Sequence, residues 1–219
     1  MKLPSTPTDL LVWLRGDDRG TLLANSLRIE ALLAPAFAVE SIADAFNYGG
    51  GKDLTDYEDG TENPEGDEAL AAAFVAEGRE APAGSSFLAL QRWHIQFSRF
   101  EAMPKAQQDH TIGRERVSNE ELDEAPESAH VKRTAQENFE PEAFVLRRSM
   151  PWIDGNEGGL MFTAFGHSFD AFEALLRRMS GAEDGLTDAL FDFTEPQTGA
   201  YFWCPPMQNG RLDLRAINL

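Results

Sequence analysis

Apolar residues in this chain fall into short blocks of two kinds, and the spacing inside each block predicts its element. Residues 10–15, "LLVWLR", read as a buried strand. Leu22, Leu23, Leu27, Ile29, Leu32 and Leu33 then recur at roughly helical spacing and predict a helix ended by Pro35. "AFAVESIADAFNY" predicts a second strand, closing a strand–helix–strand unit by about residue 48. Residues 49–68, rich in Gly and Asp, predict an extended connecting loop.

Further on, "SSFLALQRWHIQF" predicts a strand ending near Phe97. Residues 99–129 are polar, with a short helix expected in "RFEAMPKAQQDHTIG" and an acidic run at "SNEELDEAPE". "FVLRRSMPW" and "GLMFTAFGH" predict two strands joined through the turn "IDGNEG". Ser168 is placed to cap a helix over "FDAFEALLRRMSG", whose Phe169, Phe172, Leu175, Leu176 and Met179 share one face and which Gly181 ends. "AYFWCPP" predicts a final strand. Strands and helices in blocks imply an α+β architecture with antiparallel sheets. No internal repeat occurs.

Composition narrows the function. The 219 residues are 42% hydrophobic and include 15 Phe, enough for a packed core. The 37 acidic and 19 basic residues leave a net charge of −18, which argues against binding nucleic acid or an anionic membrane. The single cysteine, Cys204, excludes an internal disulfide framework and a cysteine-based zinc cluster. The first residues lack an apolar leader core and no run of 18 apolar residues occurs, so a cytoplasmic setting is the default expectation.

The densest chemistry lies in "DYEDGTENPEGDE", residues 56–68. A calcium loop of the EF-hand kind fails: with Gly60 at its sixth position, Gly66 falls where Glu is required. An acidic linker is the plain alternative, against which Asp59-Gly60 and Asn63-Pro64 are turn-forming pairs. Of four histidines, His94 lies inside an apolar strand and His167 beside a helix start, both structural settings. His130 follows the second acidic run and precedes Arg147 by 17 residues, so an imidazole, an arginine and a loop carboxylate could share one cavity. A neutral imidazole suits haem iron. Cys204 is the competing ligand, but as a small hydrophobe ending a strand it needs no such role. No G-x-S-x-G elbow, G-x-G-x-x-G or P-loop is present.

"YEDGTENP", "SAHVKR", "VLRRSMPW" and "GLMFTAFG", in that order, resemble the dye-decolourising peroxidases, and most closely their smaller bacterial branch. The resemblance implies a pair of ferredoxin-like α+β domains of the dimeric α+β barrel type, with haem b held mainly by the C-terminal one. It implies boundaries at 1–50 (a partial N-terminal domain), 51–84 (the connecting loop and helix with the distal motif) and 85–219 (the haem-binding domain). It places Asp59 as the distal acid, followed by Gly60, His130 as the proximal iron ligand, and Arg147 as the distal arginine. Ser149 matches a polar position, and Val145, Leu160 and Phe162 match apolar positions beside the haem. Alternation along the strand lets only one of Arg147 and Arg148 face the haem, and the family spacing selects Arg147.

Two departures accompany the match. Asp56 stands where the motif has its first Gly; if that position needs positive φ, Asp is tolerable but poorer. A carboxylate there could also raise the pKa of one of the pair with Asp59. Relatives carry a further strand–helix–strand stretch before "LPSTPTDLLVWLR", so the first domain is expected to be incomplete. A short natural form, a truncation, and a homo-oligomer completing the sheet all fit.

The implied activity is reduction of hydrogen peroxide through an oxyferryl intermediate, with a one-electron reductant such as a dye or phenolic as the partner. Asp59 would shuttle the proton and Arg147 stabilise developing charge. Bulky donors excluded by Phe162 and Leu160 would react at the surface, through Tyr57, Trp93, Trp152 or Tyr201, although core packing is the commoner role for such rings. The rival reading is a non-catalytic haem carrier.

Overall fold

The computed structural model of the protein describes residues 3–218. Two compact units divide it, one of residues 3–7 with 45–218 and one of residues 8–44.

The smaller unit contains one helix, α1 (Arg19–Leu33), opened by Asp18, whose carboxylate accepts from the Thr21 amide. Here the sequence expectation is only partly met. Residues 10–15 join no ladder, and Leu10, Val12 and Trp13 are exposed. The stretch expected to form the second strand contributes one isolated bridge, between Ala45 and Trp152, at the margin of the larger unit. An apolar run supplies surface to bury, but a strand also needs a partner for its N–H and C=O groups, which apolar content by itself does not provide.

The larger unit is built on one antiparallel sheet. Helix α2 (Gly66–Ala73) leads into the long strand β1 (Ser86–Ile95), followed by α3 (Phe97–Ala102) and α4 (Lys105–Ile112). One helix was expected over that last stretch. Pro104 divides it, because proline forces the preceding Met103 into extended backbone (ψ 135°). After α5 (His130–Arg133) come β2 (Leu146–Arg147), β3 (Met150–Asp154), β4 (Glu157–Gly166) and α6 (Asp170–Met179). Strands β5 (Thr194–Pro196) and β6 (Ala200–Cys204) complete the sheet. Strand β1 is central, with β4 along one side and β5 and β6 along the other; β2 and β3 line the far side of β4.

The core follows from alternation along these strands. Ala89 lies opposite Ala164, which lies opposite Arg147, so this face carries Ala89, Val145 and Ala164. Phe172 and Leu175 of α6 pack onto it with Phe139. The N-cap of α6 is Phe169 rather than the expected Ser168, which stands one residue earlier and accepts from the Asp170 amide at 3.2 Å, and Gly181 takes φ +75° at the helix end. A second cluster joins Tyr57, Ile95, Phe100, Ile112 and Phe193. It ties the acidic loop to the helices after β1.

The opposite sheet face shows why one glycine is required. A Cβ at Gly159 would lie 1.8 Å from the Trp93 carbonyl oxygen. That same oxygen accepts from the Trp152 indole at 2.9 Å. Strand β6 is not the last, since a hairpin of β7 (Met207–Gln208) and β8 (Arg211–Leu212) follows it. Asn209 and Gly210, both at positive φ, make its turn.

Candidate functional site

His130 opens the one-turn helix α5, which its neighbours hold in place. Arg133, at the other end of the turn, is buried; it donates to both Asp184 oxygens (2.7 and 2.9 Å) and to the Arg178 carbonyl. That guanidinium holds the Asp184 carboxyl down at about 2. Gly113, at φ +97°, lets α4 approach so closely that a Cβ there would meet Val131 at 2.3 Å. The ring of His130 is then oriented by Asp188, whose Oδ2 lies 2.8 Å from Nδ1. Asp188 is fully enclosed, and its other oxygen accepts from the Leu190 amide at 2.8 Å. A carboxylate facing Nδ1 requires a proton on that nitrogen. The Nε2 lone pair is thereby left free on a ring that is a quarter exposed. A histidine backed in this way is suited to holding a metal.

The acidic loop is ordered by its own turns. The backbones of Lys52 and Glu58 pair in an isolated antiparallel β-bridge, and the Asp59 amide donates to the Gly51 carbonyl at 2.9 Å. Residues 49–52 and 58–61 line a cavity of about 200 Å³. Asp56 adopts φ +68°, so the motif position does take the left-handed backbone that favours glycine. Its carboxylate accepts from the Tyr48 hydroxyl at 2.8 Å. The carboxyl that feels Asp59 is Asp53: burial pushes it up to about 6, and the nearby Asp59 charge adds to that rise. The Thr55 hydroxyl and amide, donating at 2.6 and 2.7 Å, work the other way.

Arg147 lies on β2 opposite Ala164, and its Nε is buried without a hydrogen-bond partner. Arg148 is exposed and turns back to the Arg147 carbonyl, so the structure orients the two arginines as alternation predicts. Ser149 falls in the gap between β2 and β3, where its Oγ accepts from the Thr163 amide at 3.3 Å. Val145 is buried with the α6 cluster; Phe162 packs against it and Leu160 is half-buried opposite Trp93 and Pro151.

Two side-chain amides bring these segments together. Asn63 accepts from the Arg147 amide at 2.8 Å and donates to the Arg147 carbonyl at 3.1 Å. Gln136, six residues after His130, accepts from the Val145 amide at 2.8 Å and donates to the Glu62 carbonyl at 3.1 Å. The loop of Asp59 and Gly60, the segment of His130 and the strand of Val145 and Arg147 are thus joined. Sequence reasoning missed Asn63, Gln136 and Asp188. Asn63 had a visible signal in its turn-forming pair with Pro64; Asp188 had a weak one, as an Asp opening a helical turn.

Of the four candidate surface aromatics, Tyr57, Trp93 and Trp152 are buried, whereas Tyr201 is 45% exposed and stacks on Phe169 at 4.2 Å. Cys204 is half-buried and its thiol is pushed up by burial, which disfavours the thiolate. No helix among the described residues is long and apolar enough to cross a membrane.

Fold and site together define an α+β protein with a carboxylate-backed histidine and, on a separate strand, an arginine laced to an acidic loop. The family described as "Dyp-type peroxidase, C-terminal" matches residues 51–209, and the chain belongs to that family. A dye-decolorizing peroxidase of Mycolicibacterium paratuberculosis is 32% identical over 210 residues, which is 92% of this chain and 59% of that protein. One from Brevibacterium linens is 29% identical over 208 residues, 92% of this chain and 57% of that protein. The chain therefore spans somewhat under three fifths of the length of these two curated relatives. Among solved structures, a dyp-type peroxidase protein of Shewanella oneidensis superimposes with a TM-score of 0.86 at 30% identity, over 93% of this chain and 67% of that one. A variant of DypB from Rhodococcus jostii, in complex with heme, gives 0.86 at 28% identity with the same coverage. The fold is accordingly ferredoxin-like, with antiparallel sheets.

Proposed function

We propose that this chain is a haem-dependent peroxidase that reduces hydrogen peroxide at the expense of a one-electron donor, a dye or a phenolic. The observation that carries the reading is the hydrogen bond from His130 Nδ1 to the enclosed Asp188, which leaves Nε2 as a ready iron ligand. The residues present fit haem b. His130 would hold the iron, Val145, Leu160 and Phe162 supply apolar contact, and Arg147, with its unpartnered Nε, offers a donor to an anionic group. Gly60 and Ser149 belong to the same site. Residues 85–219 would form the haem-binding domain, 51–84 the loop and helix carrying Asp59, and 1–50 part of the first domain. A cytoplasmic setting belongs to the reading and is supported by the net charge of −18 and the single cysteine. A homo-oligomer remains part of the proposal.

When bound, haem supplies the redox-active iron at which peroxide is reduced. The chain's own groups do the rest. The Asp59 carboxylate takes a proton from one peroxide oxygen and returns it to the other, so that water can leave. Arg147 stays cationic through that exchange and stabilises negative charge as it develops, without a proton of its own being spent.

The test is the visible spectrum of haem-supplemented protein before and after one equivalent of hydrogen peroxide, with His130→Ala alongside. A histidine-ligated ferric spectrum that responds rapidly to peroxide and is lost in His130→Ala is the expected result. Stable haem that ignores peroxide would overturn the enzyme in favour of a haem carrier, and no bound haem would overturn both.

A further inference from the structure

We propose that Asn63 and Gln136 are positioning residues that set Asp59 against Arg147 by acting as a substitute strand along the open edge of β2. This rests on the peroxidase reading for its catalytic consequence, but the clamp itself is a property of the chain. In the pair with Ala164, Arg147 points both its N–H and its C=O away from β4. The neighbouring Arg148 amide donates instead to the Thr163 carbonyl of β4 at 3.0 Å. Among the described residues no strand lies beyond β2, so the Val145 and Arg147 N–H groups have no ladder partner, and the Arg147 C=O otherwise meets only the Arg148 guanidinium at 2.8 Å. Asn63 takes the two Arg147 groups and Gln136 takes Val145.

Only a primary carboxamide can do this, because it presents an acceptor and a donor side by side, as a peptide does. A carboxylate at position 63 would accept from the Arg147 amide but set its second oxygen against the Arg147 carbonyl. The second end of each clamp lies on the acidic loop. Asn63 closes a turn onto the Gly60 carbonyl at 3.1 Å, and the Cβ position of Gly60 is 3.0 Å from the Asn63 amide nitrogen. Gln136, 4% exposed, holds the Glu62 carbonyl. Asp59 is therefore only a single turn away from an anchor on the Arg147 backbone. Relative placement of acid and arginine is set by these amides, and small displacements there are expensive in rate.

The experiment uses the full chain with Asn63→Ala and the nearly isosteric Asn63→Asp. In the haem-free chain, NMR amide exchange at Arg147 should accelerate roughly tenfold in Asn63→Ala, the loss of one buried hydrogen bond, and much less in Asn63→Asp, whose carboxylate still accepts from that amide, with β1 and β4 amides unchanged. In the haem-loaded chain, the second-order rate with peroxide should fall roughly ten- to hundredfold at unchanged haem content. In an Arg147→Leu background the further loss from Asn63→Ala should be much smaller, because the two residues act as one unit. Unaltered Arg147 exchange in Asn63→Ala would overturn the clamp, whatever the fate of the peroxidase reading. Faster exchange with an unaltered peroxide rate, or a loss fully additive with Arg147→Leu, would overturn the positioning role. A parent chain that binds no haem would overturn the peroxidase reading and the positioning role with it, and the exchange result would still decide the clamp.

Discussion

Replacing Asp188 by Asn isolates the hydrogen bond on which the iron-ligand assignment depends. The two side chains have the same shape, so packing around the enclosed group should survive. Polarity does not. One Asp188 oxygen accepts from the Leu190 amide and the other from His130 Nδ1, both at 2.8 Å. An Asn that keeps the Leu190 bond turns its NH2 group toward Nδ1, which must then accept, and the imidazole proton moves to Nε2. An Asn flipped the other way keeps His130 but sets NH2 against the Leu190 amide. Either arrangement loses a charge-assisted hydrogen bond of about 1.5–3 kcal/mol. Converted to binding, that is a roughly ten- to hundredfold weaker hold on the metal, the range found when an outer partner of a ligating histidine is removed. Haem titration of the haem-free chain by tryptophan fluorescence measures the affinity, and nitrogen-15 shifts of the His130 ring report the tautomer independently. Affinity within about twofold of the parent, together with a bare Nε2, would refute the reasoning that Asp188 sets the ligand.

Other expectations follow from the same site. Arg147→Leu should leave haem bound while the reaction with peroxide, followed by stopped-flow absorbance, slows by about 10²-fold or more. Asp53 carries a folded-state value raised from 3.8 to about 6, so its charged form opposes folding: the cost sets in as pH rises past 3.8 and is complete above about 6. Asp53→Asn should therefore stabilise the chain at pH 7 by about 1–3 kcal/mol, and urea melts should show that gain shrinking as pH falls through 6 toward 4. At Asp56, with φ +68° and a surface bond to Tyr48, Ala should cost about 1 kcal/mol whereas Gly should be neutral within about 0.5, both read from chemical denaturation. Equal losses for the two would show that the lost hydrogen bond, not the backbone, decides this position.

What the sequence by itself determined was local or came from ordered motifs. Strands β1 and β4 and helix α6 were legible because alternation, helical spacing and capping residues lie within each segment. The order of "YEDGTENP", "SAHVKR", "VLRRSMPW" and "GLMFTAFG" pointed to the family before any contact was known. Strand alternation allowed only one of Arg147 and Arg148 to face the site and the family spacing selected Arg147, while the family motif marked Asp56 as standing at a glycine position. The expected strand at 10–15 failed because apolar content says nothing about whether a hydrogen-bonding edge is at hand. Tertiary structure alone decided the partners: Asp188 lies 58 residues from His130, Asn63 84 from Arg147, and Gln136 74 from Glu62. A carboxylate or an amide looks the same in a sequence whether it faces water or completes a buried site. Only the fold brings it to the one ring nitrogen or open strand edge whose unmet hydrogen bond it satisfies.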